Sequence, residues 1–253
     1  MQNILEVQNL GKQYRGSTSY ALSNLTYRLP KGKICAVVGA SGSGKTTFLR
    51  LIAGLERPSS GTILLNEEVV SNMQHIVPPQ RRGVGMVFQN FALFPHLTVQ
   101  QNIAYGMNNS VNKAQTVTEL LALVQLPNYE TRYPHELSGG EQQRIALVRT
   151  LARHPKLLLL DEPFSNLDTA LKVDLRKALR NIVHRLQLSM IFITHDIQDA
   201  LDLADELIFL EAGQLVECGS LEQLLKAPKT PLVQDVFQNL KASAIHLTKL
   251  LSE

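Results

Sequence analysis

The sequence predicts an α/β fold with a mainly parallel sheet and a helical segment set into its middle. Three observations carry this expectation. Short apolar strands alternate with amphipathic helices through most of the chain, the pattern of parallel βα units. One such strand, KICAVVG, runs into a glycine-rich loop that opens a helix. Between about Phe91 and His154 the strand pattern gives way to helical spacing.

The first stretches, ILEVQNL and ALSNLTYRL, alternate loosely and read as β-strands. After the glycine loop, KTTFLRLIAGL sets Phe48, Leu49 and Ile52 at helical spacing, and Gly54 suits its C-terminal cap. In the middle, TVTELLALVQL and GGEQQRIALVRTLARH are helical, and Pro155 stops the second. KLLLLDEP returns to a buried strand, and TALKVDLRKALRNIVHRLQ is an amphipathic helix. SMIFITHD is another strand and IQDALDLADEL another helix. LIFLEAGQLVECG reads as a hairpin turning near Ala212-Gly213, and a short helical tail follows.

The 253 residues suffice to bury a proper core. Hydrophobic content of 44% and charged content of 19% fit a globular protein. A formal net charge of +3 without a long basic run argues against nucleic acid as a partner. Cys35 and Cys218 show neither metal-ligand nor CxxC spacing and read as reduced thiols of a cytosolic protein. No apolar run approaches the ~18 residues of a membrane span, and MQNILEVQNLGKQYRG lacks the apolar core of a signal peptide. A cytoplasmic location is expected, so any membrane role requires a partner.

Gly39, Ala40, Ser41, Gly42, Ser43, Gly44, Lys45 and Thr46 fit G-x-x-x-x-G-K-[ST] between a strand and a helix, the context that motif requires. Glycines let backbone N–H groups converge on phosphate oxygens. Lys45 brings a point charge to the β- and γ-phosphates, and the Thr46 hydroxyl can ligate Mg²⁺. Thr47 adds a contact to the α-phosphate. Nucleotide binding is the expectation, but this motif alone does not separate a kinase, a GTPase, a helicase or a transport motor.

LLLLDEP ends a buried strand with Asp161 and Glu162. Adjacent strand side chains point in opposite directions, so one carboxylate can serve a metal and the next an attacking water. Asp161 is the candidate to hold Mg²⁺ through its waters, and Glu162 to polarise the nucleophile. FITHD places His195 at another strand end, where α/β sheets bind ligands; there it can donate to a γ-phosphate. A lone histidine is as often structural. Gln89 closes VGMVFQ at a third strand end, and its amide oxygen can ligate Mg²⁺, though a glutamine in isolation says little. LSGGE then puts Ser138, Gly139 and Gly140 at a second anion-attracting helix start.

Together these residues resemble the ATP-binding cassette (ABC) family, the motor subunits of ABC transporters. The matching elements are GASGSGKTT, VFQN, LSGGEQQR, LLLLDEP, SNLD and THD, in the family's order and across almost the whole chain. The resemblance implies one P-loop NTPase domain over 1–253, with ATP and Mg²⁺ as cofactors. Residues 1–90 and 155–220 would form a RecA-like core with an N-terminal antiparallel β part, 91–154 a helical subdomain and 221–253 a helical tail. Tyr14 in GKQYRG matches the aromatic that stacks on adenine; Tyr20 is the weaker substitute, because Ala21-Leu22 matches the strand that follows. Two cassettes would pack head to tail, so that Ser138, Gly139 and Gly140 serve the partner's ATP. Asp168 in SNLD would lie at that interface. Asn166 stands where the family more often has alanine, which leaves activity expected and communication between sites altered.

RGVGMVFQNFALFPHLTVQQNIAYGM resembles bacterial import cassettes in particular. Phe91, Leu93, Phe94 and Leu97 would form an apolar cleft for a coupling helix of a membrane permease subunit, with about half of them at the contact. A solute-binding protein would be an indirect partner, and the cassette would sit peripherally on the cytoplasmic face of the cell membrane. The wording is closest to cassettes for ferric iron, polyamines, sugars, molybdate, sulfate or thiamine. Many of these carry a C-terminal β domain for which this chain is too short. That weakens sugars and polyamines and leaves iron, thiamine, phosphonate or another small solute open. An exporter or membrane-remodelling cassette is the alternative within transport. A soluble ABC protein of translation or DNA repair is the alternative outside it, disfavoured by a single cassette without heptads.

Overall fold

A computed structural model describes residues 2–107, 112–165, 167 and 169–250. Two long strands open the chain, β1 (Asn3–Gln13) and β2 (Tyr20–Pro30). β3 (Ile34–Val38) is buried along its whole length and leads through the glycine loop into α1 (Lys45–Ala53). β4 (Ser60–Leu65) and β5 (Glu68–Ser71) form a hairpin whose turn residues, Asn66 and Glu67, both have positive φ. β6 (Val84–Val87) follows.

Three helices then occupy the middle: α2 (Val99–Ala104), α3 (Lys113–Leu123) and α4 (Gly139–Leu151). Each starts on a side-chain cap, from Thr98, Asn112 and Ser138 respectively. α4 ends at Leu151, earlier than the proline suggested. The chain turns through His154, which has positive φ, before reaching Pro155. Thereafter come β7 (Leu157–Asp161), α5 (Thr169–Arg185), β8 (Ser189–Thr194), α6 (Ile197–Leu203), β9 (Glu206–Glu211), β10 (Gln214–Ser220), α7 (Leu221–Lys226) and α8 (Pro231–Leu250).

The strands form two sheets. One is antiparallel, in the order β2-β1-β4-β5; the other runs β10-β9-β3-β8-β7-β6. All pairs in the second are parallel except β10 with β9. Side-chain alternation along β3 divides the core in two. Ile34, Ala36 and Val38 join the helices of the middle segment, α5, α6 and α8, whereas Cys35 and Val37 join α1 and the antiparallel sheet. β7 repeats the division, with Leu158 and Leu160 on the first side and Leu157 and Leu159 on the second.

Arg82 fastens the antiparallel sheet to α1. It is buried, and its guanidinium donates to the Leu51 and Ile52 carbonyls at the C-terminus of α1, at 3.1 and 2.9 Å. It also donates to the carbonyls of Val70 and Val77 and to the Ser71 hydroxyl. A cation suits a helix C-terminus, and the planar fork satisfies otherwise orphaned carbonyls. Burial lowers its pKa to about 10, well above neutrality, so the charge remains.

At the other end of the fold, Glu217 of β10 organises the start of α8. Its carboxylate accepts from the backbone N–H groups of Lys229 and Thr230 and from the Thr230 hydroxyl. Pro231 takes the first helical position, where no N–H is needed. Val233 and Phe237 then enter the core, with Phe237 edge-on to Phe209.

Two outcomes are expected. Arg82→Met strands several acceptors and should lower unfolding free energy by about 2–4 kcal/mol in urea titration. Burial opposes ionisation of Glu217, but its three donors hold the carboxyl below the usual glutamate value. A depressed acid stabilises the fold above its unfolded pKa and loses that contribution as pH falls through the folded one. Between pH 7 and 3 the parent should therefore lose stability more steeply than Glu217→Gln, measured by thermal melts.

Candidate functional site

The parallel sheet collects the site. β3, β8, β7 and β6 are neighbours in that order, and their C-terminal ends lie along one edge. The glycine loop follows β3, His195 follows β8, Asp161 ends β7 with Glu162 just past it, and Gln89 stands two residues beyond β6. Four segments far apart in sequence thus meet at the edge where open α/β sheets bind ligands.

Glycine is required in the loop for steric reasons at two positions. A Cβ on Gly39 would lie 2.2 Å from the Leu210 carbonyl oxygen, and one on Gly44, which has φ of 101°, would lie 2.4 Å from that of Ala21. Lys45 is buried, and its ammonium donates to the carbonyls of Gly39 and Ala40, both at 2.8 Å. Burial lowers its pKa, while Glu162 and Asp161 push it back up. The Ser43 hydroxyl is buried in the loop without a hydrogen-bond partner. An orphaned donor in a glycine loop beside a buried lysine fits a phosphate oxygen.

Thr46 donates to Asp161 Oδ1 at 3.4 Å, and Gln89 Nε2 donates to Glu162 Oε2 at the same distance. That donation leaves the Gln89 amide oxygen for a cation. Hydroxyl, carboxylate and amide oxygens are hard donors, and the set fits Mg²⁺. Burial and the neighbouring Glu162 raise the pKa of Asp161, a cost that a divalent cation would relieve. His195 is exposed, with Nδ1 3.7 Å from Glu162 Oε2.

One sequence expectation changes here. Asp161 and Glu162 do not diverge by strand pleating. The strand ends at Asp161, and Glu162 takes a left-handed φ of 48°, rare for a residue with a side chain. That twist turns its carboxylate toward Gln89 and His195.

A network below His195 escaped the sequence reading. The Thr194 hydroxyl accepts from the Asp196 N–H and donates to Asp199, both at 3.0 Å. Asp199 pairs with the buried Arg176 of α5 at 2.7 Å. The pairing fixes the corner from β8 to α6 that carries His195. No spacing rule links positions 176 and 199, because the contact is tertiary.

Ser138 caps α4 in a reciprocal box with Glu141, whose carboxylate also accepts from the Tyr129 hydroxyl at 2.6 Å. That last bond holds the Glu141 carboxyl below its usual value. Ser138 and Gly139 are exposed, and a Cβ on Gly139 would meet nothing within 4 Å. This chain's own packing does not demand glycine there. Gly140 is buried, and a Cβ there would lie nearest the side chains of Leu171 and Leu167, at 3.5 and 3.6 Å. Asp168 and Asn166 lie outside the described residues. Tyr14 stands beyond β1, its hydroxyl 3.3 Å from that of Thr47. Tyr20 opens β2 opposite Gln13.

On another face lies a cleft of about 560 Å³, lined by Leu55, Met86, Phe88, Phe94, Tyr105 and Arg149 among others. Of the four residues expected there, Phe94 lines it, while Phe91 and Leu93 pack against the main core. Arg149 of α4 donates to the carbonyls of Phe91 and Ala92, both with positive φ, and stacks over Phe94. The fully buried Asn102 holds the corner beyond, exchanging hydrogen bonds with Phe94 and donating to the carbonyls of Leu97 and Thr98.

A glycine loop after β3, an acidic pair after β7 and hard oxygen donors between them define a nucleotide-binding protein of the P-loop type. The chain belongs to the ABC transporter family, whose pattern matches residues 22–165. It is 41% identical over 239 residues to "Probable sulfate/thiosulfate import ATP-binding protein CysA" of Chlorella vulgaris, covering 93% of this chain and 98% of that one. It is 44% identical over 229 residues to "Fe(3+) ions import ATP-binding protein FbpC 2" of Pectobacterium atrosepticum, covering 90% of this chain and 66% of the relative. Among solved structures, a dimeric ATP-binding cassette in a post-hydrolysis state bound to ADP and Pi superposes with a TM-score of 0.74 at 27% identity, over 86% of this chain and 98% of that one. The RecA-like fold class with its antiparallel β part and helical insertion accords with this family.

Asp199→Ala would leave Arg176 buried with the half-exposed Asp202 as its remaining ion-pair partner among the described residues. A stability loss of about 3 kcal/mol is expected in chemical denaturation, largely reversed by adding Arg176→Met.

Proposed function

We propose that the chain is the ATP-hydrolysing motor subunit of an ABC importer. The observation that carries this is the single strand edge where Lys45, Thr46, Asp161, Glu162, Gln89 and His195 converge. In this reading Lys45, the loop amides and Ser43 hold the triphosphate. Thr46, Gln89 and Asp161 hold Mg²⁺, which when bound neutralises phosphate charge. Glu162 accepts a proton from the attacking water, and His195 donates a hydrogen bond to the γ-phosphate. Tyr14 stacks on the adenine.

The exposed Ser138-Gly139 pair serves a second copy packed head to tail, where the N-terminus of α4 faces the partner's γ-phosphate. That a related cassette bound to ADP and Pi is dimeric supports pairing of two copies. ATP then favours the closed dimer and hydrolysis the open one, by differential binding to two states. The apolar cleft receives a coupling helix of a permease subunit, which places the chain peripherally on the cytoplasmic face of the membrane. Among the described residues no helix is long and apolar enough to cross it. Relatives named for sulfate/thiosulfate and Fe(3+) import are similarly identical to this chain, which fits a motor that does not touch the solute.

Glu162→Gln should retain MgATP affinity, form a dimer with ATP on gel filtration and lose at least ~100-fold in kcat. Brisk turnover by that variant would remove the role given to Glu162. Mixed dimers of Ser138→Arg and Lys45→Ala subunits should hold one site with both lesions and one with neither. They should therefore recover ATPase that neither variant shows alone; no recovery would sink the shared-site arrangement.

A further inference from the structure

Glu56 lies outside every motif in the chain, yet it touches the base platform. It sits two residues past Gly54, the cap of α1, with its side chain 15% exposed. The Tyr14 hydroxyl donates to Glu56 Oε1 at 2.8 Å and lies 3.3 Å from Thr47 Oγ1. Glu56 Oε2 is buried without an aligned hydrogen bond and faces the ammonium of Lys12 at 3.2 Å. Lys12 also donates to the Arg57 carbonyl at 2.9 Å and stands over the Tyr14 ring, 4.9 Å from its centroid. Arg50 adds a looser pairing to Oε1 at 3.8 Å.

Tyr14 is therefore held at its hydroxyl by one carboxylate and at one ring face by the cation paired to that carboxylate. An exposed tyrosine without these contacts samples several rotamers. Ordering it on binding would cost affinity, whereas a ring already fixed avoids that cost. The shared contact with Thr47 ties the ring to the helix that continues the phosphate loop, so base and phosphate subsites keep a fixed separation.

We infer that Glu56, with Lys12, is a positioning residue that pre-orders the Tyr14 ring for the nucleotide base and so sets affinity for ATP without taking part in phosphate binding. The inference rests on the reading of Tyr14 as the adenine-stacking residue.

The test is calorimetric titration of the full chain with MgATP and with magnesium tripolyphosphate, which has no base. Glu56→Ala and Tyr14→Phe should each weaken MgATP by about three- to tenfold. The double variant should be no weaker than the worse single one. Tripolyphosphate binding should not weaken in any of them, and Glu56→Gln, which keeps an acceptor oxygen, should recover most of the loss. Tyr14→Phe leaves the carboxylate in place and carries the test should Glu56→Ala fold poorly. Parental MgATP affinity in Glu56→Ala or Tyr14→Phe, equal weakening toward tripolyphosphate, or multiplying effects would each overturn the inference. Tyr14→Ala separates the two layers: if it binds MgATP like the parent, the stacking role itself fails and takes the inference with it.

Discussion

The parallel pairing of β3, β8, β7 and β6 is the constraint on which the rest depends. β3, β7 and β8 are buried on both faces, so their backbone polar groups must be satisfied by one another. Their pairing in register makes the chain leave all of them at one edge. The glycine loop, Asp161, Gln89 and His195 all leave the sheet there. Moving a strand by one residue would exchange its two faces and also withdraw its site residue from the edge.

Much of this was legible in the sequence, for a physical reason. Strands buried on both sides must be apolar throughout, and ICAVV, LLLLD and SMIFIT announce themselves accordingly. The glycine loop was legible because sterics at Gly39 and Gly44 admit nothing larger. The β4–β5 hairpin was not read, because SGTILLNEEVVS is short and only partly buried. Arg82, Arg176, Asp199 and Glu56 were not legible either. Their partners come from other elements, and a buried arginine looks in sequence like any surface one. The cleft fared in between: FALFPHLTV pointed to the right corner, but it supplies only Ala92 and Phe94, and the other walls come from segments outside it, β6 and α4 among them.

Strain and support are paired at the site. Glu162 adopts a left-handed conformation directly after the strand. Thr194, Asp199 and Arg176 brace the neighbouring corner through hydrogen bonds in a low-dielectric setting, where satisfied networks are strong. Such bracing lets an unfavourable backbone angle persist where the proposed chemistry would need a carboxylate aimed sideways.

The Arg149 contact gives α4 a second meaning. The helix is 13 residues long, with Ser138 at its start and Arg149 in its last turn. At 1.5 Å per residue that is a rod of about 20 Å. Arg149 grips the Phe91-Ala92 corner, which lies just past Gln89. On the proposed reading, one end of this rod touches a neighbour's nucleotide and the other is pinned beside this chain's own metal ligand. A push on the corner cannot be absorbed by one end alone. On that same reading the helix would act as a crossbar between two active sites, and a membrane subunit seated in the cleft would have its hand on both.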